Sequence, residues 1–489
     1  MPALSPGEFK RLDALIRDGR GSLARPEIRR HSQKKLPRDS VVRLANLAWR
    51  ANLPHAGLRL LHSIVRPGPR IPVTASGEEK AEYANCLTKV GAPEEALALL
   101  KELEGKVLPK AWLYEAAAHM SQWNYTAAIP LLERYSRSRG TSEYHQLVGK
   151  TNLLAALVHE RMGPRALILI RELLYKTSMG KWRLLHAIVL ELAAVHFIMK
   201  KQFRQARDYL GQAKFLMKDS QAIQELFVRK WGAIADVLEK PSATSLSNLR
   251  KIREEAIARN HWETLRDCDR FEVIATHNGR LFLHLYIGTP FEGFRKWLVH
   301  DFGKPVEIPE RYLLHLGGTK PKARVLSLLD GDIQSQTSAL KVGNLLHRLI
   351  KSLAVDFYRP SRLTTLHYRL YPDEYFNPVS SPTRIYYAIH SLRSWFKEAR
   401  LPLRVEEIGG AYRLASVKPS ALEVPTSTRA QTKNSAVLDR IRSRWPADDF
   451  SAAEAGEFLK KAFANIFQDW VWPIHLPLLH NLLKQGFGA

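Results

Sequence analysis

At 489 residues the chain is longer than one hydrophobic core organises, so roughly two to four domains are expected. Hydrophobic residues at 45% and charged residues at 25% are ordinary usage for folded protein, which excludes a largely disordered chain. The 74 Lys and Arg against 48 Asp and Glu leave a net charge of +26, a field that favours DNA, RNA or an anionic membrane face, with an acidic protein partner as the plainer alternative.

Residues 1–39 are expected to form a basic helical segment, charged within its first ten positions and without the apolar core of a secretory signal. Residues 40–300 read as helices of 12–18 residues separated by short breaks carrying Gly, Pro or Asn, with apolar residues recurring at i, i+3 and i+4. A small motif returns inside this stretch: a break, an alanine, then a leucine-rich turn. It occurs at Asn52-Leu53-Pro54-His55-Ala56, at Gly91-Ala92-Pro93-Glu94-Glu95-Ala96, at Trp123-Asn124-Tyr125-Thr126-Ala127-Ala128, at Gly163-Pro164-Arg165-Ala166 and at Gln202-Phe203-Arg204-Gln205-Ala206. The alanines Ala56, Ala96, Ala128, Ala166 and Ala206 are 40, 32, 38 and 40 residues apart. A small residue where two antiparallel helices cross lets their backbones approach closely. The spacing brackets the roughly 34-residue period of tetratricopeptide repeats, and the motif resembles the start of their second helix over residues 40–215, with a generic array of helical hairpins as the alternative. Either architecture is an α-solenoid, a surface suited to a protein or peptide partner or to homo-oligomerisation. Residues 261–277 read as a further helix and Leu281 to Tyr286 as a short strand, a hairpin at Asn278-Gly279 being the alternative.

A linker is expected over 301–320, and the pattern changes from 321 to 417. Arg324 to Asp330 reads as a strand closed at Gly331, Leu340 to Leu353 as an amphipathic helix, and Ser361 as the cap of a second helix reaching Leu370. Ser381 and Pro382 suit the start of a third helix, in which Ile385, Ile389, Leu392 and Phe396 make one apolar stripe. Opposite that stripe lie Thr383, Tyr387, His390 and Ser394, flanked by Arg384 and Ser391 on one edge and by Arg393 and Lys397 on the other. A hydrogen-bonding face rimmed by cations suits the DNA major groove. Leu403 to Ile408 and Ala411 to Ala415 then read as two strands joined at Gly409-Gly410, the shape of a wing.

This order resembles the OmpR/PhoB winged-helix family over about 95 residues. The recognition-helix pattern V-x-V-x-I-x-x-L-R is matched at Ile385, Tyr387, Ile389, Leu392 and Arg393, and the wing ending G-x-G-Y-R-L at Gly409, Ala411, Tyr412, Arg413 and Leu414. Tyr386 stands where the family often has an acidic residue, the wing is one residue shorter, and no phosphoacceptor receiver domain precedes it. The resemblance implies double-stranded DNA as partner, with phosphate contacts supplying most of the affinity and Arg384, Tyr387 and His390 facing base edges.

A linker rich in Pro, Ser and Thr is expected over 418–435, followed over 436–489 by a small helical unit. There Val437 to Trp445 reads as one helix, and Ser451 with Glu454 as the capping box of another. That unit is either a second helix-turn-helix or a dimerisation or packing element. Cys86 and Cys268 are the only cysteines, too few for a disulfide framework or a Cys-based metal site. No run of about 18 uncharged apolar residues occurs, and Trp470 to Leu483 is interrupted by Pro473 and Pro477. P-loop, H-E-x-x-H and nucleophile-elbow signatures are lacking. The sequence therefore predicts a mainly α, cytoplasmic, DNA-binding regulator that needs no cofactor, metal, membrane or catalysis, with a helical-repeat adaptor as the alternative.

Overall fold

A computed structural model describes residues 4–67, 74–105, 107–180, 182–217, 224–318, 324–329, 331–333 and 340–426, with 451, 454 and 457 beyond them. The described chain is mainly helical, with twenty helices and two three-stranded sheets. It divides into two compact units. One runs to Val306 and includes Tyr375–Ser381; the other takes Glu307–Glu374 and the chain from Pro382.

The first unit opens with α1 (Pro6–Arg17) and α2 (Gly21–Ser32). Their Phe9, Leu12, Ala24 and Ile28 share a core with Leu44, Leu47 and Ala48 of α3 (Arg38–Arg50), so the described residues from Leu4 onward pack with the helices that follow. Next come α4 (Pro54–Val65), α5 (Gly77–Val90), α6 (Pro93–Lys101), α7 (Pro109–Ser121), α8 (Tyr125–Ser136), α9 (Glu143–His159), α10 (Gly163–Met179), α11 (Arg183–Met199) and α12 (Phe203–Met217). The unit's remaining helices are α13 (Gln224–Glu239), α14 (Ala243–Ala258), α15 (Trp262–Thr276), α16 (Gly279–Ile287) and α17 (Glu292–Phe302).

One turn geometry recurs between these helices. The leading helix ends on a single left-handed residue: Asn52 (φ 63°), Gly91 (95°), Trp123 (59°), Arg161 (56°), Lys201 (57°) and Asn260 (56°). The next amide reaches back five residues, as in Leu53 N–H to the Ala48 carbonyl (2.8 Å), Met162 to Leu157 (2.9 Å) and Gln202 to Phe197 (2.9 Å). This is Schellman closure, which satisfies carbonyls that the helix end would otherwise orphan. The second helix begins directly afterwards, with proline in its first turn in α4, α6 and α10. Ala56, Ala96, Ala128, Ala166 and Ala206 fall within that helix and are 0–6% exposed. The break in the sequence motif is the αL turn, and the alanine is the point of close packing. Backbone proximity among the described glycines of these helices is tightest at Gly293 in α17, where a Cβ would sit 2.2 Å from the Trp123 carbonyl oxygen.

The short strand expected at Leu281 to Tyr286 is instead helix α16. Asn278 Oδ1 accepts from the N–H groups of Arg280 and Leu281, both at 3.1 Å, so Asn278-Gly279 starts a helix rather than a hairpin. Tyr375–Ser381 belongs to this first unit although it follows it in sequence by many residues. Phe376 is 2% exposed in a core with Leu58, Leu61 and Tyr83. Its N–H donates to the Glu95 carboxylate at 3.2 Å, and the Arg66 guanidinium lies 3.7 Å from the Tyr375 ring centre.

The second unit contains β1 (Arg311–Leu316), β2 (Arg324–Ser327), α18 (Leu345–Leu353), β3 (Ser361–Arg362), α19 (Leu363–Leu370), nearly all of α20 (Ser381–Glu398), β4 (Leu403–Ile408), β5 (Ala411–Ser416) and β6 (Ser420–Pro425). One sheet has the order β1-β6-β2, with β6 antiparallel to β1 and parallel to β2; the other is antiparallel, β3-β5-β4. Leu349, Ile350, Leu366, Ile385, Leu392, Val405, Leu414 and Leu422 meet in one core. Several sequence expectations change here. The 301–320 linker holds β1, and the 418–435 linker holds β6, the central strand of its sheet, with Ala421, Leu422 and Val424 buried. Leu340 precedes its helix, bonding to the Gly331 carbonyl at 2.9 Å, and α18 begins only after Asn344. Ser361 pairs with Tyr412 across a sheet instead of capping a helix, and the strand from Arg324 stops at Ser327.

The expected Val437 to Trp445 helix and most of 436–489 lie outside the described residues. The Ser451–Glu454 capping box is present: Ser451 N–H donates to Glu454 Oε2 at 2.7 Å and Glu454 N–H to Ser451 Oγ at 3.2 Å. Among the described residues, no helix is long and apolar enough to cross a membrane.

Candidate nucleic-acid interface

Helix α20 divides sharply into two faces. Ile385, Ala388, Ile389, Leu392 and Phe396 are 0–2% exposed, a stripe at helical spacing that faces the core of the second unit. On the opposite side Thr383, Tyr387, His390, Ser391 and Lys397 are exposed, and Ser394 is half-buried. Tyr386 at 50% and Tyr387 at 71% exposure are two neighbouring aromatic rings held out in water. Thr383, Tyr387 and His390, expected opposite the stripe, are thus exposed together with Ser391 and Lys397 from its two edges.

The three arginines of the expected set are placed differently. Arg384 is gripped by Glu374, with one contact at 3.1 Å, and its guanidinium lies 3.8 Å from the Tyr371 ring centre. Its hydrogen bond to Glu374 raises the arginine pKa and lowers that of the carboxylate. Arg393 donates to the Val405 carbonyl at 2.8 Å and so stitches α20 to β4. Arg413 on β5 pairs with Glu406 on β4 at 3.0 Å, and Arg404 shares the same carboxylate. The hairpin turning at Gly409 (φ 58°) and Gly410 (φ 79°) therefore carries locally balanced charge, with Glu407 accepting from the Tyr412 hydroxyl at 3.3 Å.

Glu374, Tyr371, Glu406 and the Val405 carbonyl are the groups that sequence reading missed. Each meets its arginine across a loop or between strands, where no helical spacing joins the partners. The cross-strand pair Glu406–Arg413 was in principle accessible once the hairpin register was known, because the two residues lie directly opposite one another. The arrangement offers hydroxyl, phenol and imidazole groups at the helix surface, an exposed lysine, Lys397, toward its far end, and arginines at its edges already bound to protein. It can hydrogen-bond and stack; it carries no grouping of acid, base and nucleophile. Compared with known protein families and with curated proteins, the chain matches none.

Proposed function

We propose that the chain is a DNA-binding transcriptional regulator, in which an OmpR/PhoB-like winged helix lays α20 into the major groove. The helical first unit, read as a solenoid of tetratricopeptide-like hairpins, then serves protein interaction, sensing or oligomerisation. The observation that carries this reading is the outward face of α20, polar and aromatic on one side and wholly apolar on the other. The β4–β5 hairpin supports it, since a wing-like hairpin directly follows the helix that would read bases, and β3, which precedes that helix, pairs with β5 as a third strand. In this reading Tyr387, His390 and Ser391 face base edges, Lys397 meets a phosphate, and Arg384 and Arg393 hold the helix in position rather than reading sequence.

The test is selection of bound duplexes from a random pool by the full chain. An enriched sequence is expected, and Tyr387→Ala with His390→Ala should erase the preference, each lost base contact weakening discrimination by about 1–3 kcal/mol. Lys397→Ala should weaken all duplexes alike. If about six phosphates are neutralised, the log–log salt slope is expected near −5. No enrichment, or salt-sensitive binding equal for every duplex, contradicts the proposal. Two observations favour a second reading, a helical-repeat adaptor whose winged helix grips protein: the Tyr386–Tyr387 pair is exposed, and Arg384 and Arg413 are already ion-paired within the chain.

A further inference from the structure

Helices α1 and α2 bring together three side chains that the DNA reading does not use. One carboxylate oxygen each from Glu8 and Glu27 and one ring nitrogen of His31 lie within 4.8 Å of one another. Glu27 and His31 are one turn apart on α2, the spacing that puts two ligands on one helix face, and Glu8 faces them from α1. The carboxylates have partial explanations. Ser5 N–H donates to Glu8 Oε2 at 2.7 Å in a capping box, and Arg11 reaches Glu27 Oε2 at 2.5 Å. Each contact uses one oxygen and leaves the other.

The imidazole has no such explanation. His31 is 5% exposed, and among the described residues neither of its ring nitrogens has a hydrogen-bond partner. A buried polar group in that condition calls for a missing partner.

We propose that Glu8, Glu27 and His31 form a binding site for a divalent transition-metal ion of the zinc class, water completing its coordination and the ion clasping α1 to α2. Nitrogen with two carboxylate oxygens is a zinc donor set, whereas Ca2+ and Mg2+ take oxygen ligands alone. Glu27 keeps 20% of its side chain exposed, which gives it room to turn from Arg11 toward an ion. The inference stands apart from the DNA reading, and either can fail alone.

The experiment is titration of the full chain with Zn2+ against a chromogenic chelator, with circular dichroism to confirm folding of each variant. One saturable site is expected. His31→Ala and Glu27→Gln should weaken it at least tenfold, and Arg11→Ala should tighten it by freeing Glu27. Should His31→Ala fail to fold, Glu27→Gln, altered at a partly exposed position, carries the test. The chain has 18 histidines, so weak binding elsewhere is expected and is not the signal. Absence of saturable binding to the unaltered chain, or saturable binding that Glu27→Gln leaves unchanged, overturns the proposal.

Discussion

His159 stacks on Tyr125 with ring centres 4.4 Å apart and lies 5.4 Å from the ring of Trp297. Burial pushes its pKa down to about 4. The folded state therefore prefers the neutral ring, while the unfolded chain takes up a proton near the ordinary value of 6.5. Stability from this residue is present above 6.5 and is lost as the pH falls toward 4. Urea midpoints at neutral and mildly acid pH are expected to separate for the unaltered chain. The separation should shrink in His159→Phe, by an amount worth about 1–3 kcal/mol, while other buried histidines such as His367 keep part of it. Residue-level features of this kind divide by how far apart in sequence their causes lie. The outward face of α20 was legible because its members share one helix and one period. The capture of Arg384 by Glu374 was not, since it depends on where a loop returns.

The recurring αL turn shows the same division among elements. A break followed by alanine was visible in sequence, and it locates both the turn and the buried contact after it. What sequence did not show is that five of the six turn residues place a side chain in the left-handed region, where glycine is at ease and other residues are strained. Lys201 is exposed, so its side chain offsets little of that strain. Lys201→Gly is expected to raise stability by about 1 kcal/mol, measurable by chemical denaturation. Strands β1 and β6 escaped notice for another reason. Each has six residues, and β6 is framed by Pro, Ser and Thr, so composition reads as linker while burial of Leu422 and Val424 makes it the centre of a sheet. Short strands acquire their identity from partners far away in the chain; helices largely do not.

At the scale of the molecule, the predominance of helix with a small β component followed from periodicity alone, and the structure agrees. The division into units did not follow. The segment Tyr375–Ser381 lies far along the chain from the helices it joins, yet Phe376 fills a slot in the first unit's core. Phe376→Ala is expected to destabilise that unit by about 3–5 kcal/mol. Native-state hydrogen exchange can locate the loss: amides of α4 and α5 should exchange faster, far from the mutated position in sequence.

That segment also means the polypeptide passes from one unit to the other three times, after Val306, after Glu374 and after Ser381. Beads on a string can be cut apart, reordered and grafted; these two bodies cannot. Severing the chain at Val306 would deprive the first body of its own phenylalanine and leave a greasy vacancy. Swapping the second body for a foreign one would have to import a matching plug. Recombination that shuffles modules would thus find no clean seam here, and the pair is expected to be inherited, expressed and lost together.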